Sequence, residues 1–312
     1  MNALSGKVVV TGGAGFIGSH IVDALVAQRS CEVVVVDDLS TGSLDNLALS
    51  QSAITFENGS ITDHAFLSRV CEGASYVFHQ AAIASVQQSI DDPMHTHAVN
   101  VTGTLNVLEA ARQAGVKRVV YASSSAVYGD TQDMPLAEGT SPKPLSPYAT
   151  HKYMNELYAS LYTTLYGLET VGLRYFNVFG NRQSPDSAYA AVVPLFKQAL
   201  QEGRQPTIFG DGESSSRDYV HVADVVQANI KACEAHDVVG SVYNVGTGHT
   251  TTPHQLLQAL NTALNTHITP TYQPYRTGEI LTSVADIQKA HAELGYTPTL
   301  SLEEGIRRMC AA

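Results

Sequence analysis

The chain has no basic run, no long apolar stretch and only four cysteines, scattered at Cys31, Cys71, Cys233 and Cys310. Each shortage excludes something. A net charge of −11 over 312 residues argues against nucleic acid as a partner, because a phosphate backbone demands a basic surface. No stretch approaches the ~20 apolar residues of a membrane-spanning helix, so no membrane partner is expected. The opening residues, Met1 to Lys7, carry no signal-peptide core. With no Cys-x-x-Cys pair, neither a zinc ribbon nor a disulfide framework is expected, and a reducing cytoplasm is the fitting compartment. The 12 histidines show no His-Glu-x-x-His or comparable spacing, so no metal site is expected. Neither an internal repeat nor a low-complexity tract is visible.

What the chain does carry begins at its N-terminus. Lys7 to Thr11 is a short β-branched run, the pattern of a buried parallel strand. It feeds into Gly12-Gly13-Ala14-Gly15-Phe16-Ile17-Gly18, followed by a helical pattern with Ile17, Ile21, Val22 and Leu25 on one face. Gly13, Gly15 and Gly18 satisfy the dinucleotide spacing; Gly12, Gly15 and Gly18 satisfy a variant with steps of three. Such glycines permit a tight turn and bring backbone N–H groups against a pyrophosphate at the helix N-terminus. A second strand, Glu32 to Val36, ends in Asp37-Asp38. Asp37 follows Gly18 at close to the ~20-residue interval of the carboxylate that holds ribose hydroxyls. Its charge repels a 2′-phosphate, which favours NAD over NADP.

Strand patterns at 6–11, 32–37, 53–57, 75–79, 116–123 and 168–174 alternate with helical patterns at 16–28, 64–72, 94–114 and 148–166. That alternation predicts an α/β Rossmann fold with a doubly wound parallel sheet. Beyond about residue 175 the pattern loosens. Helical patterns return at 188–202, 221–235, 253–265, 285–294 and 301–310, with one more strand at 242–245. The expected division is a nucleotide-binding part at 1–175, with contributions from about 221–246, and a smaller, mostly helical, partly interleaved lobe at 176–312.

The chemistry is concentrated in Ser146-Pro147-Tyr148-Ala149-Thr150-His151-Lys152. Tyr148 and Lys152 share one face of a helix at a spacing of four. A phenol titrates near pH ~10, so alone it is a poor base. A neighbouring ammonium favours the phenolate, and the pair reads as a proton-transfer device. Ser123, Ser124 and Ser125 follow the strand at 116–120, where ligands of open α/β sheets bind. They can hydrogen-bond a substrate hydroxyl, or simply form a serine-rich turn.

Together these motifs resemble the extended short-chain dehydrogenase/reductase family, and within it the nucleotide-sugar 4-epimerases. The resemblance runs along the whole chain through TGGAGFIG, SSSAVYGD, SPYATHK, LRYFNVFG, SRDYVHV and Arg276-Thr277-Gly278-Glu279. It implies Tyr148 as the base at the sugar 4-hydroxyl and Ser124 as the bridge between hydroxyl and phenol. It implies Lys152 on the nicotinamide ribose. For NAD it further implies Gly12, Gly15, Phe16, Ile17, Gly18, Asp37, Asp38, Ser60, Ile61, Gln80, Ala81, Ala82, Asn100, Ser123 and Tyr175. A UDP-sugar would meet Ser124, Ser125, Asn177, Ala191, Val192, Val193, Thr207, Phe209, Arg217, Arg276, Glu279 and Ser283. The reaction implied is epimerisation at C4 through a transient 4-keto sugar.

Three departures bear on substrate. Gly59-Ser60-Ile61 replaces a Gly-Asp-Ile motif and removes a charge near the adenine. The segment His79 to Ala84 lacks a lysine found in some galactose-type members. Ser283 stands where glucose/galactose-restricted members carry a bulky tyrosine, which leaves room for a 2-acetamido group; it could equally cap a helix beginning at 285. The reading favours UDP-GlcNAc/UDP-GalNAc, with UDP-Glc/UDP-Gal besides. Its alternatives are another enzyme using the same 4-keto intermediate (a uronate epimerase, decarboxylase or reductase) and a protein that binds NAD without turnover. Apolar positions on the helices at 94–114 and 148–166 resemble the four-helix bundle through which relatives form homodimers.

Overall fold

Seven parallel strands form the central sheet of the computed structural model, which describes residues 4–185, 191–275 and 280–311. The strands are β1 (Gly6–Thr11), β2 (Cys31–Asp37), β3 (Ile54–Asn58), β4 (Ala74–His79), β5 (Arg118–Ser124), β6 (Glu169–Tyr175) and β11 (Ser241–Val245). Their order is β11-β6-β5-β4-β1-β2-β3. Sheet order reverses between β1 and β4, and the crevice at that switch is where such sheets bind ligands. The centres of β1, β2 and β5 are unbroken buried runs, since helices cover both faces.

The helices flanking the sheet are α1 (Phe16–Gln28), α2 (His64–Cys71), α3 (Val86–Asp91), α4 (Pro93–His97), α5 (Thr104–Gln113), α6 (Pro147–Tyr166) and α8 (Val222–Glu234). A second group contains α7 (Val192–Gln201), α9 (Pro253–Leu264) and α10 (Leu302–Ala311). Three two-stranded parallel pairs accompany it: β7 (Asn177–Phe179) with β10 (Tyr219–His221), β8 (Thr207–Phe209) with β12 (Thr271–Gln273), and β9 (Ser216–Arg217) with β13 (Thr282–Ser283). These short strands gave no period-2 signal in the sequence.

Apolar packing falls into distinct clusters. On one face of the sheet Ile21, Val22 and Leu25 of α1 pack with Val225, Ala228 and Ala232 of α8. On the other, Val107, Leu108 and Ala111 of α5 pack with Ala159 and Tyr162 of α6. A separate core joins Phe196, Leu200, Leu256, Leu260, Ile306 and Met309 among α7, α9 and α10.

Two expectations need correcting. The helix expected at 94–114 is interrupted by a π-helical segment, Ala98–Gly103. Asn100 in that segment reaches out to the backbone of Ile83, a pull that favours the wider turn. The helix expected at 285–294 begins late, at residue 288. Val284 and Asp286 exchange backbone hydrogen bonds with Leu136, and the Ala285 N–H donates to Asp218. Those partners hold residues 284–286 extended, and the chain then coils over 288–294, with a π-helical segment at Ala290–Leu294.

Candidate active site

The glycine loop turns at Gly12, whose φ of +67° suits glycine. A Cβ added there would lie 2.6 Å from the Ala81 nitrogen, and one on Gly18 would lie 2.1 Å from the Gly12 carbonyl oxygen. Gly12, Gly13 and Gly18 are thus the most crowded positions along the loop, Gly13 against Val35, while a Cβ on Gly15 would stand 3.1 Å from the Gly12 carbonyl oxygen. Gly15 caps α1 with no side-chain bond, and no acidic residue lies in the first turn. Its leading N–H groups, Phe16 and Ile17 among them, suit an anionic ligand. Asp37 ends β2 and is buried; it accepts the Ala14 and Leu39 N–H groups, each at 2.9 Å, one on each oxygen. Each oxygen keeps a further acceptor site for ribose hydroxyls. Burial raises its pKa. This cradle fits a dinucleotide.

Beside Asp37, burial opposes ionisation of Asp38, but hydrogen bonds from Ser40 and Ser60 outweigh it and hold the carboxyl below its ordinary range. Ser60 therefore carries a polar contact where a charge is missing, and Ile61 is buried against Gly103. At the switch point, His79 bridges Thr11 and Thr104 at 2.7 and 2.9 Å. Burial lowers its pKa to about 3, so it stays neutral. Asn100 clamps the 80–84 segment through both Ile83 backbone groups. Ala81 and Ala82 are half-buried there. Gln80 and Tyr175 are linked at 3.0 Å, and both bond Asn229 of α8, a fully buried residue that no motif had marked.

Ser146 caps α6 by accepting the Ala149 N–H, with Pro147 in the first turn. That fixes where Tyr148 stands. The Ser124 hydroxyl lies near enough to the phenol to favour its ionised form, and Tyr175 lies close enough to act on it electrostatically. Lys152 is buried, with Nζ 5.9 Å from the centre of the Tyr148 ring and 2.9 Å from the Ala122 carbonyl oxygen it donates to. Burial lowers its pKa to about 8. One expectation reverses here. Burial pushes the Tyr148 phenol up, opposed only by the Ser124 hydroxyl. The ammonium is directed at β5 and not at the phenol oxygen, so in the protein alone desolvation wins.

The UDP-sugar candidates separate. Asn177, Val192, Thr207, Phe209 and Arg217 line one cavity of about 540 Å³. Leu195, Phe196, Arg204 and Gln205 line it too and were missed, since isolated residues on α7 and a loop have no motif. Asn177 donates to the Asp218 carbonyl oxygen at 3.0 Å. Arg217 donates to the carbonyls of Ser216, Leu281 and Ile280. Ser125 is half-buried beyond β5, and Ala191 is exposed at the N-cap of α7.

Two candidates are placed differently from expectation, and for Ser283 the capping alternative falls away. Val193 is a core residue, 2% exposed, because its face of α7 packs inward. Ser123 is buried and donates to Glu156 at 2.5 Å, so its proton is committed inside the protein. Ser283 caps no helix; it lies in β13, paired with Arg217 of β9. Arg276 and Glu279 fall outside the described residues. A larger cavity, about 990 Å³ between α9 and the 298–303 segment, includes none of the candidates.

The comparisons with known proteins agree with this geometry. Residues 8–246 match the NAD dependent epimerase/dehydratase family, and the chain belongs to it. A UDP-glucose 4-epimerase of Mycolicibacterium smegmatis is 40% identical over 306 residues, covering 97% of this chain and 96% of the relative. A solved UDP-N-acetylglucosamine 4-epimerase from Methanobrevibacter ruminantium, in complex with UDP-N-acetylmuramic acid, superposes with a TM-score of 0.94 at 39% identity, covering 100% of this chain and 98% of that one. The Thermus thermophilus UDP-glucose 4-epimerase in complex with NAD gives a TM-score of 0.88 at 39% identity, covering 98% of each chain. Within its family the chain groups with the UDP-sugar 4-epimerases, isomerases that work with NAD.

Gly18→Ala tests the cradle. The added methyl would collide with the Gly12 backbone, so the loop must open. NAD affinity is expected to fall by at least ~10-fold, about 1.4 kcal/mol, measured by titration calorimetry.

Proposed function

We propose that this chain interconverts UDP-N-acetylglucosamine and UDP-N-acetylgalactosamine, and accepts UDP-glucose and UDP-galactose as well. The observation that carries the choice of sugar is Ser283. It is a small residue in β13, paired with Arg217, whose side chain lines the candidate nucleotide cleft. A small side chain there leaves room for a 2-acetamido group. One solved relative is a UDP-N-acetylglucosamine 4-epimerase and another a UDP-glucose 4-epimerase, which fits a pocket that permits the larger group without requiring it.

In this reading the glycine loop and α1 hold a pyrophosphate, Asp37 the adenosine ribose, and Asp38, Ser60 and Ile61 the adenine end. Gln80, Ala81, Ala82, Tyr175 and Lys152 line the nicotinamide end. When bound, NAD supplies a hydride acceptor that can return what it takes, and a positive charge beside the phenol. Tyr148 removes the proton from the 4-hydroxyl, with Ser124 bridging the two oxygens. Turning the 4-keto sugar presents its other face, and Tyr148 gives the proton back. Asn177 and Arg217 hold the diphosphate, and the Thr207–Phe209 strand lies against the base. Residues 1–175 with 221–246 form the cofactor part and 176–312 the sugar-nucleotide lobe, in keeping with the separate core of α7, α9 and α10.

A panel of UDP-sugars read by NMR tests this. UDP-GalNAc should appear from UDP-GlcNAc, and Ser283→Tyr should suppress that conversion by ~10-fold or more while sparing UDP-glucose. No UDP-GalNAc from the wild-type protein would overturn the assignment.

A homodimer completes the proposal. The apolar residues Leu108, Ala110 and Ala111 of α5 are buried within the chain. On α6, however, Leu157, Leu161 and Leu165 recur every four residues and are 49%, 50% and 65% exposed. Such a stripe suits a second copy of the same helix. Light scattering should give twice the chain mass, and Leu161→Glu should give a monomer.

A further inference from the structure

We propose that Glu156 is a positioning residue for the reaction, holding the Ser124 hydroxyl and the Tyr148 phenol in register through Ser123 and Arg174. The inference rests on the assignment of Tyr148 and Ser124 above.

Tyr148, Lys152 and Glu156 follow at intervals of four along α6 and share one face. The Glu156 carboxylate accepts three hydrogen bonds. Ser123 Oγ donates to Oε1 at 2.5 Å, Arg174 Nε to Oε1 at 2.8 Å, and Arg174 Nη2 to Oε2 at 2.7 Å. Ser123, Glu156 and Arg174 are each at least nine-tenths buried. Arg174 Nη1 also donates to the Glu138 carbonyl oxygen, and the guanidinium lies 4.7 Å from the centre of the Tyr128 ring.

What this set joins matters more than its strength. Ser123 precedes Ser124 at the end of β5, and Arg174 precedes Tyr175 at the end of β6. Lys152 pins β5 one residue earlier, at the Ala122 carbonyl oxygen. The end of β5 is therefore fastened to α6 at two successive residues, and β6 is fastened to α6 beside it. A buried pair with good bidentate geometry adds little net stability over apolar packing. It does fix the relative placement of three elements, and two oxygens that share a moving proton need that placement.

The test uses the whole enzyme and two variants. Ser123→Ala cuts the tie to β5 and leaves the Glu156–Arg174 pair intact. Glu156→Gln keeps the shape of the side chain and removes its charge. Ser123→Ala should lower kcat by ~10- to 100-fold, the scale of a misplacement of about 1 Å. KM for the UDP-sugar, NAD affinity and melting temperature should hold. Around Tyr148 the neighbouring groups are Lys152 on its own helix, Ser124 at the end of β5 and Tyr175 on β6. Of these, the Ser124 hydroxyl is what opposes the upward shift of the phenol. Loosening it lets the pKa rise, so the acid limb of the kcat profile should move to higher pH. A merely structural tie would lower activity equally at every pH. Glu156→Gln should show the same shift, or fail to fold because Arg174 is left unpaired. Ser123→Ala with wild-type kcat and an unmoved acid limb would overturn the proposal. Wild-type protein without turnover on any UDP-sugar would instead overturn the reading on which it rests.

Discussion

Tyr148→Phe is expected to abolish turnover while leaving the protein folded and able to bind NAD. The phenol oxygen is the only atom removed, and the aromatic ring stays in place. Its hydroxyl interacts with Ser124, while the position of the backbone is set elsewhere, by the Ser146 cap and by the Ser89 hydroxyl, which accepts the Tyr148 N–H at 3.0 Å. Positioned acid–base groups contribute about 10²- to 10⁴-fold. Here one group takes and returns the same proton, so the loss should fall at the upper end, about 10³- to 10⁴-fold in kcat. KM should change little, because a group acting only in the transition state moves kcat and kcat/KM together. The pH profile carries the same logic. Burial raises the phenol, the base works only when deprotonated, and so activity in the wild-type protein should rise with pH on the acid side. Residual turnover within tenfold of wild type would show that another group moves the proton.

The sequence was most legible where one short segment carries both the element and its chemistry. Strand β1, the glycine loop and α1 are contiguous, so period and spacing sufficed to place the cradle. The same holds for Tyr148 and Lys152, four residues apart on α6. Legibility failed where function depends on contacts distant in the chain. Asn229 touches Gln80 and Tyr175 across separations of 149 and 54 residues, and no local pattern distinguishes it from any helical asparagine. Val193 and Phe196 both pack into the core with α9 and α10, but only packing tells that Phe196 alone of the two also borders the cavity. Helical periodicity sets in at 285, and yet Leu136 and Asp218 capture the backbone of residues 284–286 and delay the helix to 288. In each case a tertiary partner overrode a local preference. The direction of the Tyr148 shift failed for a related reason: spacing reports that a lysine is near, not where its ammonium points.

Asp218→Asn should be the most damaging single-atom change outside the catalytic residues. Asp218 is completely buried between Arg217 and Tyr219. Its Oδ1 accepts the Thr247 N–H and hydroxyl at 2.8 and 2.7 Å, and its Oδ2 accepts the Gly248 and Ala285 N–H groups at 2.9 and 3.2 Å. Burial raises its pKa in spite of these four donors, so the charge is costly to keep. Removing that charge does not bring relief. An asparagine can satisfy one pair of donors through its oxygen, but its amide nitrogen must then face the other pair, donor against donor. Each buried donor left without an acceptor costs roughly 1–3 kcal/mol, so about 3 kcal/mol is expected for two. At the ~2–4 °C per kcal/mol of larger domains, the melting temperature should fall by roughly 6–12 °C. Function should fall with it, since the Asp218 backbone pairs with Asn177 and Ser283, and its carboxylate ties Ala285 to the 247–248 turn. Loosening that knot should raise KM for the UDP-sugar more than it lowers kcat, because the residues it supports lie on the nucleotide side and the proton-transfer pair lies on α6 and β5. A melting temperature within ~2 °C of wild type, with KM unchanged, would show that the surrounding turn reorganises around the amide and that the carboxylate is not what holds it.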